Sequence, residues 1–384
     1  DRTGRAPTRL ADQGSPARPD GPLSPEAMKV ALSSVLAETD PLTRQRRFTE
    51  LLESLTPENA RAAVQALRDA PRSRWGWGQE YSLLTYAWGR LDGPAAVAYA
   101  KELEGRTKEW TMASVLAGWA NRDPDQAKQW VSSIEDEGER RSFTRGLVYG
   151  LAQKDVDSAT SFVLSLDPES SRREEYIGSI ARQQLSQGLD TAAEWSDSLP
   201  DGAMKAEALE TVAREYVRGD PAKAAAWVAQ YAEAEHGSSA IAEISEEWAE
   251  DDPKAALEWV TTLPEGSNRN RALSETISEW ARDDAVAAGE YLAKLPAGDE
   301  RDAAVGSYAR RVAGEEPEAA IEWAESIGSE ELRNATITRT ARDWFRRDVS
   351  AASAWLESAD IPEPVAQEIL RPSENDERRD WRRR

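Results

Sequence analysis

An aromatic residue returns about every 32 residues along this chain. Tyr99, Trp130, Phe162, Trp195, Trp227, Trp259, Tyr291, Trp323 and Trp355 stand 31, 32 and 33 residues apart and then 32 apart five times. A second column, Trp88, Trp119, Leu151, Gln184, Tyr216, Trp248, Trp280, Val312 and Trp344, keeps the same intervals. A period of this length belongs to stacked supersecondary units, and two columns per period mean two helices per unit.

The segment 252–263 shows the grammar of the first helix, A. Asp252 is placed as N-cap and Pro253 at the first helical position, where the missing N–H costs nothing, and Asp123-Pro124 and Asp220-Pro221 repeat the pair. Asp155 reads as a cap of the same kind. Ala255, Ala256, Trp259, Val260 and Leu263 then share one face of a helix. Leu263-Pro264-Glu265-Gly266 stops it, as do Leu199-Pro200-Asp201-Gly202 and Leu295-Pro296-Ala297-Gly298. Helix B follows at about 268–282, with Ala272, Leu273, Ile277, Trp280 and Ala281 on its inner face. Neither helix buries its apolar stripe alone, so successive hairpins must stack.

This grammar predicts an all-α solenoid of about nine antiparallel helical hairpins. Eight run from about residue 93 to 346, a ninth helix A covers 349–358, and a short helix near 362–370 closes the array. Ser24-Pro25, Asp40-Pro41, Thr56-Pro57 and the stretch Gln79–Leu91 mark four helices ahead of it. The expected organisation is a Pro/Gly-rich linker or docking arm at 1–23, an N-terminal helical cap at 24–92, the repeat array at 93–370 and an Arg-rich tail at 371–384.

On its helix-pair period, small-residue pair and aromatic anchor, the chain resembles the bacterial αα-repeat solenoids, the broad class that contains tetratricopeptide and HEAT-like repeats. The period is 32 rather than the 34 of the tetratricopeptide pattern, and the Asp-Pro start and the Trp-Ala of helix B are its own. The resemblance implies an extended surface for binding protein.

Chemistry is sparse. There is no Cys, which removes thiol catalysis, disulfides and thiolate metal sites, and there is one His, His236, which reads as a loop or C-cap residue. No phosphate loop, dinucleotide fingerprint or nucleophile elbow is found, so no cofactor and no metal is expected, nor an enzyme. Asn334-Ala335-Thr336 is a formal glycosylation sequon, discounted because it falls in a helix B. With 70 acidic against 48 basic residues the net charge is −22, which opposes binding to nucleic acid and docking on anionic lipid. No apolar run approaches the roughly 20 residues that span a bilayer, so membrane insertion is not expected.

Three features remain as candidate partner-binding residues. Arg72, Arg74, Trp75 and Trp77 lie in one loop, where they grip a partner or seal the junction of cap and repeats. A basic column, Lys108, Arg140, Arg172, Lys205, Arg269, Arg301 and Arg333, with Gly237 its one gap, falls at the start of helix B, where a cation opposes the helix dipole. It is either a ladder of salt bridges to acids such as Glu265 or Asp283, or a stripe that receives an acidic partner through Arg269, Arg301 and Arg333. The Arg-rich tail, anchored by Trp381, is either a solvated terminus or a docking arm.

The expected function is a non-catalytic scaffold or structural subunit whose partners are proteins, copies of itself included. An opening residue Asp1 followed by linker composition leads to the expectation of a removed leader and a periplasmic or extracellular location, although a trimmed chain would look the same. The alternatives are an α/α-toroid enzyme or binding protein acting on polysaccharide, and a nucleic-acid-reading helical repeat, which the charge opposes.

Overall fold

At seven places along the chain one aspartate both ends a helix and starts the next, the exceptions in the repeat being Gly188 and Glu316. In a computed structural model of the chain, the side chains of Asp92, Asp123, Asp155, Asp220, Asp252, Asp284 and Asp348 each accept from a backbone N–H two or three residues on, opening a helix. The N–H of each donates in turn to the carbonyl of the second-column residue four positions back, from Trp88 to Trp344, closing the helix before. The turn between repeats is therefore fixed by one short side chain, which is why its spacing is so regular.

The structure describes residues 22–70, 78–168, 170 and 172–371, and among them there is no strand. They form two compact units, the first ending at Pro168 and the second following it. The first unit opens with α1 (Pro25–Leu36), α2 (Pro41–Leu52), α3 (Pro57–Asp69) and α4 (Gly78–Leu91). It continues with α5 (Gly93–Lys101), α6 (Gly105–Arg122), α7 (Pro124–Ser132), α8 (Glu137–Lys154) and α9 (Val156–Leu164). The second unit begins with α10 (Arg173–Leu185), α11 (Leu189–Asp197), α12 (Ala203–Gly219), α13 (Pro221–Val228) and α14 (Ser238–Asp251). Next come α15 (Pro253–Thr262), α16 (Ser267–Asp283), α17 (Ala285–Leu292), α18 (Asp299–Val312) and α19 (Pro317–Glu325), then α20 (Glu330–Arg347), α21 (Val349–Ser358) and α22 (Glu363–Leu370). Odd-numbered helices from α5 to α21 are the A helices and even-numbered ones from α6 to α20 the B helices, so each unit is an all-α stack of hairpins.

Successive B helices pack on one another within each unit, while A helices pack on the B helices at either side rather than closely on each other. The centre of each A–B contact is an alanine. Ala96, Ala127, Ala159, Ala192, Ala224, Ala256, Ala288, Ala320 and Ala352 are all 0% exposed, leaving no room for a longer side chain. Second-column residues Trp88, Trp119, Leu151, Gln184, Tyr216, Trp280 and Trp344 are buried beside them.

The aromatic column of helix A lines the edge of the core rather than its centre. Only Tyr99 and Trp195 are buried; Trp130, Phe162, Trp227, Trp259, Tyr291, Trp323 and Trp355 are half-buried. Their outer edges stay wet because neighbouring A helices stand apart. Six of the nine rings lean on a second-column ring eleven residues before them, with centroids 5.3–6.1 Å apart in Trp88–Tyr99, Trp119–Trp130, Tyr216–Trp227, Trp248–Trp259, Trp280–Tyr291 and Trp344–Trp355, whereas Phe162 and Trp195 have Leu151 and Gln184 at that position. Such a pair contributes about 0.5–1.5 kcal/mol beyond its buried area. Where Val312 interrupts the column, Tyr308 one turn earlier takes its place against Trp323 at 5.1 Å.

The B layer of the first unit is held at backbone contact. A Cβ added to Gly118 of α6 would lie 2.0 Å from the Tyr86 carbonyl oxygen of α4, and one on Gly89 of α4 would lie 2.1 Å from the Val115 carbonyl oxygen of α6. Gly150 of α8 meets the Ala117 carbonyl of α6 in the same way, at 2.2 Å. Glycine in mid-helix is here the condition for close approach.

Candidate interaction surface

The basic column at the start of the B helices is occupied from within. Arg140, Arg269 and Arg333 each donate to a carbonyl six residues earlier, those of Ile134 (2.8 Å), Leu263 (3.2 Å) and Ile327 (2.8 Å). Lys205 donates to the Asp197 carbonyl at 3.1 Å. In an antiparallel hairpin the end of helix A lies beside the start of helix B, so these cations satisfy orphan carbonyls and meet the negative pole of the neighbouring helix. Arg269 also pairs with Glu300 at 2.9 Å and Lys108 with Glu139 at 2.5 Å, both one repeat onward, rather than with Glu265 or Asp283. Arg301 donates to the carbonyl and hydroxyl of Ser326 at 3.0 and 3.1 Å.

Arg72, Arg74, Trp75, Trp77 and Trp381 lie outside the described residues. His236 sits in a short 3₁₀ turn, Glu235–Gly237, ahead of α14, edge-on to Tyr231 at 5.4 Å. That loop is tied down by Asp197, which accepts from the Trp227 indole (3.1 Å) and the Tyr231 hydroxyl (2.6 Å). Asn268 holds its far side through the Ala232 and Ala234 carbonyls at 2.9 and 3.0 Å. Gly237 interrupts the basic column because a Cβ there would stand 2.5 Å from the Tyr231 carbonyl oxygen.

A groove of about 500 Å³ crosses α16, α18 and α20 in the second unit. Its floor is Gly306, where an added Cβ would find nothing nearer than the Thr336 hydroxyl at 3.7 Å. Arg271, Arg310 and Arg339 stand on its walls, one from each of the three helices, beside Glu275 and the apolar Leu332. All three arginines are exposed, and among the described residues none makes an ion pair. Arg310 donates to Ser307 at 2.6 Å and Arg271 to Ser238 at 3.3 Å, weak claims on a guanidinium with five donors. A second hollow of about 600 Å³ continues from it between α20 and α22, sharing Ala335 and Arg339.

The other end of the same B layer carries the opposite sign. Glu243, Glu246 and Glu247 of α14 lie between Glu210 of α12 on one side and Glu275 of α16 on the other, with Arg214 and Arg218 bridging part of the set, while Glu207 of α12 turns the other way, toward Gly178 and Arg182 of α10. Burial, and then the neighbouring Glu275, Glu243, Glu279 and Glu247, push the Glu246 carboxyl above the usual carboxylate range. Glu207 is raised for the same reasons, burial first and Glu210 next. Glu279, 4% exposed, is raised by burial against the pull of Arg282.

Counting in steps of one repeat, Arg310 and Arg342 occupy the position of Glu246, and Arg339 that of Glu243 and Glu275. The sign of the charge thus reverses along one face while the packing positions beneath it do not change. The sequence reading followed the buried columns and the basic column, and missed this face; aligning the exposed positions repeat against repeat would have found it.

Among the described residues no group of three or more His, Asp or Glu is placed to hold a metal ion, and no helix is long and apolar enough to cross a membrane. Comparison of the chain with protein-family models, with curated proteins and with solved structures finds no match.

Proposed function

We propose that this chain is a non-catalytic protein-interaction scaffold or structural subunit of a larger, extracytoplasmic assembly, with proteins, copies of the chain among them, as its partners. The observation that carries this reading is the division between a repeated interior and an individual surface. Every repeat keeps its buried alanine and most keep the capping aspartate and ring pair, whereas the exposed positions of the B layer change sign from α14 to α20 and open a groove over Gly306. A stack that needed only to hold itself together has no use for that difference. The repeat is best grouped with the αα class of tetratricopeptide and HEAT-like arrays, supported by its helix pairs and period.

The test is crosslinking in the native material followed by mass spectrometry of the attached peptides. Links to one foreign protein at fixed stoichiometry, or between copies of the chain, support the scaffold. A chain that links to nothing in stoichiometric amount, and instead turns over a polysaccharide when purified, would replace it with an enzyme.

A further inference from the structure

We infer that the groove across α16, α18 and α20 binds an extended, acidic peptide segment of a partner protein, through Arg271, Arg310 and Arg339. The inference rests on the scaffold reading and adds to it the place and the chemistry of contact.

Three observations support it. The first is unspent charge. On a chain of net charge −22, three arginines gather on one groove with no carboxylate among the described residues paired to any of them, although acids are abundant elsewhere in the unit. Guanidinium groups are the natural receptors for carboxylates, which they bind through two parallel hydrogen bonds. The second is room. Gly306 stands where the preceding repeat has Ser274 and the one before it Ala242, so the floor falls away just where the charge reverses. A peptide backbone, rather than only side chains, can lie there. The third is mixed chemistry. Glu275, Asn270, Ser307 and Thr336 offer acceptors and donors for backbone N–H and C=O groups, and Leu332 offers an apolar contact. A uniformly anionic polymer gains nothing from Glu275, whereas a peptide can donate a backbone N–H to it between its own carboxylates.

The geometry also sets a spacing. Packed helices lie about 8–10 Å apart, and an extended chain advances about 3.3 Å per residue. Arg310 and Arg339 stand at nearly the same level on adjacent B helices, whereas Arg271 lies about two turns away along its own, so carboxylates that meet Arg310 and Arg339 should stand about three residues apart in the bound segment.

The experiment is fluorescence anisotropy of the full chain with fluorescein-labelled Gly/Ser peptides carrying two glutamates, the pair stepped from adjacent to roughly five apart. Binding is expected to peak near the three-residue spacing, to vanish with glutamine in place of glutamate, and to weaken with salt. Arg310→Glu with Arg339→Glu should weaken it by at least about tenfold, because each exchange removes one attraction and adds one repulsion. Gly306→Gln, which fills the floor without touching a charge, should weaken it similarly, and circular dichroism melting should show all variants folded. The inference is overturned if no peptide binds, if the charge-reversed chain binds equally well, or if a short heparin oligosaccharide binds more tightly than every peptide. It is also overturned if sedimentation shows the chain pairing with itself through this groove, with the acidic α12–α14 face of a second copy as occupant. These outcomes leave the scaffold reading standing wherever native crosslinks fall elsewhere on the array, so the two fail separately.

Discussion

Adding one methyl group to Gly118 sets helix propensity against packing. Alanine is the better helix former by about 1 kcal/mol, so Gly118→Ala in the middle of α6 should stabilise the chain if only the helix counted. The new Cβ would instead lie 2.0 Å from the Tyr86 carbonyl oxygen and 3.0 Å from the Arg90 nitrogen of α4. Carbon-to-oxygen contact normally begins near 3.3 Å, so the helices must part by roughly 1 Å. A gap of that size forfeits a quarter to a half of each dispersion contact between them. Helix propensity returns only part of that loss, and overpacking of this kind costs about 1–3 kcal/mol. The expected net result is a loss of about 2 kcal/mol. Gly306→Ala is the matched control, since the floor of the groove leaves its Cβ free to 3.7 Å; it should gain about 0.5–1 kcal/mol. Guanidinium unfolding followed by circular dichroism, with hydrogen exchange reading α4 and α6 separately, gives both values. If Gly118→Ala proves as stabilising as Gly306→Ala, the backbone contact between α4 and α6 is refuted.

Other substitutions probe other links. Trp280→Ala removes a ring 9% exposed that packs against Tyr291 at 6.1 Å, and should cost about 3–5 kcal/mol in the same unfolding assay. Asp302→Ala removes a buried carboxylate that accepts from the Gly328 and Ser329 backbone at 3.0 and 2.8 Å; a loss of about 2–3 kcal/mol with earlier exchange at the start of α20 is expected. The raised carboxyls of Glu207, Glu246 and Glu279 bind protons more tightly in the folded chain than in the unfolded one. They therefore disfavour the fold above their folded-state values, and that penalty is relieved as pH falls toward the ordinary Glu range. Glu246→Gln should accordingly raise the melting temperature at neutral pH and flatten its rise on acidification; an unchanged pH profile would contradict the crowding of that face.

What the sequence made legible was whatever each repeat needs for itself. Asp252 caps, Ala256 packs and Trp280 fills, and because the next repeat needs the same three things, their spacing spells out the fold. Contacts between repeats were not written in that way. Gly118 looks like a helix breaker until Tyr86, some thirty residues away in sequence, is seen to touch it. Trp259 looks like core, yet its burial depends on a neighbouring A helix that does not close over it. The six-residue step from Leu263 to Arg269 was visible in the sequence, but its meaning lay in the antiparallel hairpin, which sets the end of one helix beside the start of the next. The groove was harder still, since Arg339 differs in kind from its counterparts Glu243 and Glu275. A search for periodicity passes over the position where the period is broken.

The claim that the B face of the second unit receives a partner is tested most directly by a photo-crosslinking amino acid placed at Ala335, exposed between the two hollows of α20, and separately at Val286, 73% exposed on α17 of the A layer. In the native material, Ala335 should yield one dominant adduct with a foreign protein at an acidic segment, and Val286 should yield none in stoichiometric amount. Equal labelling from both positions, or adducts from Val286 alone, would contradict the account.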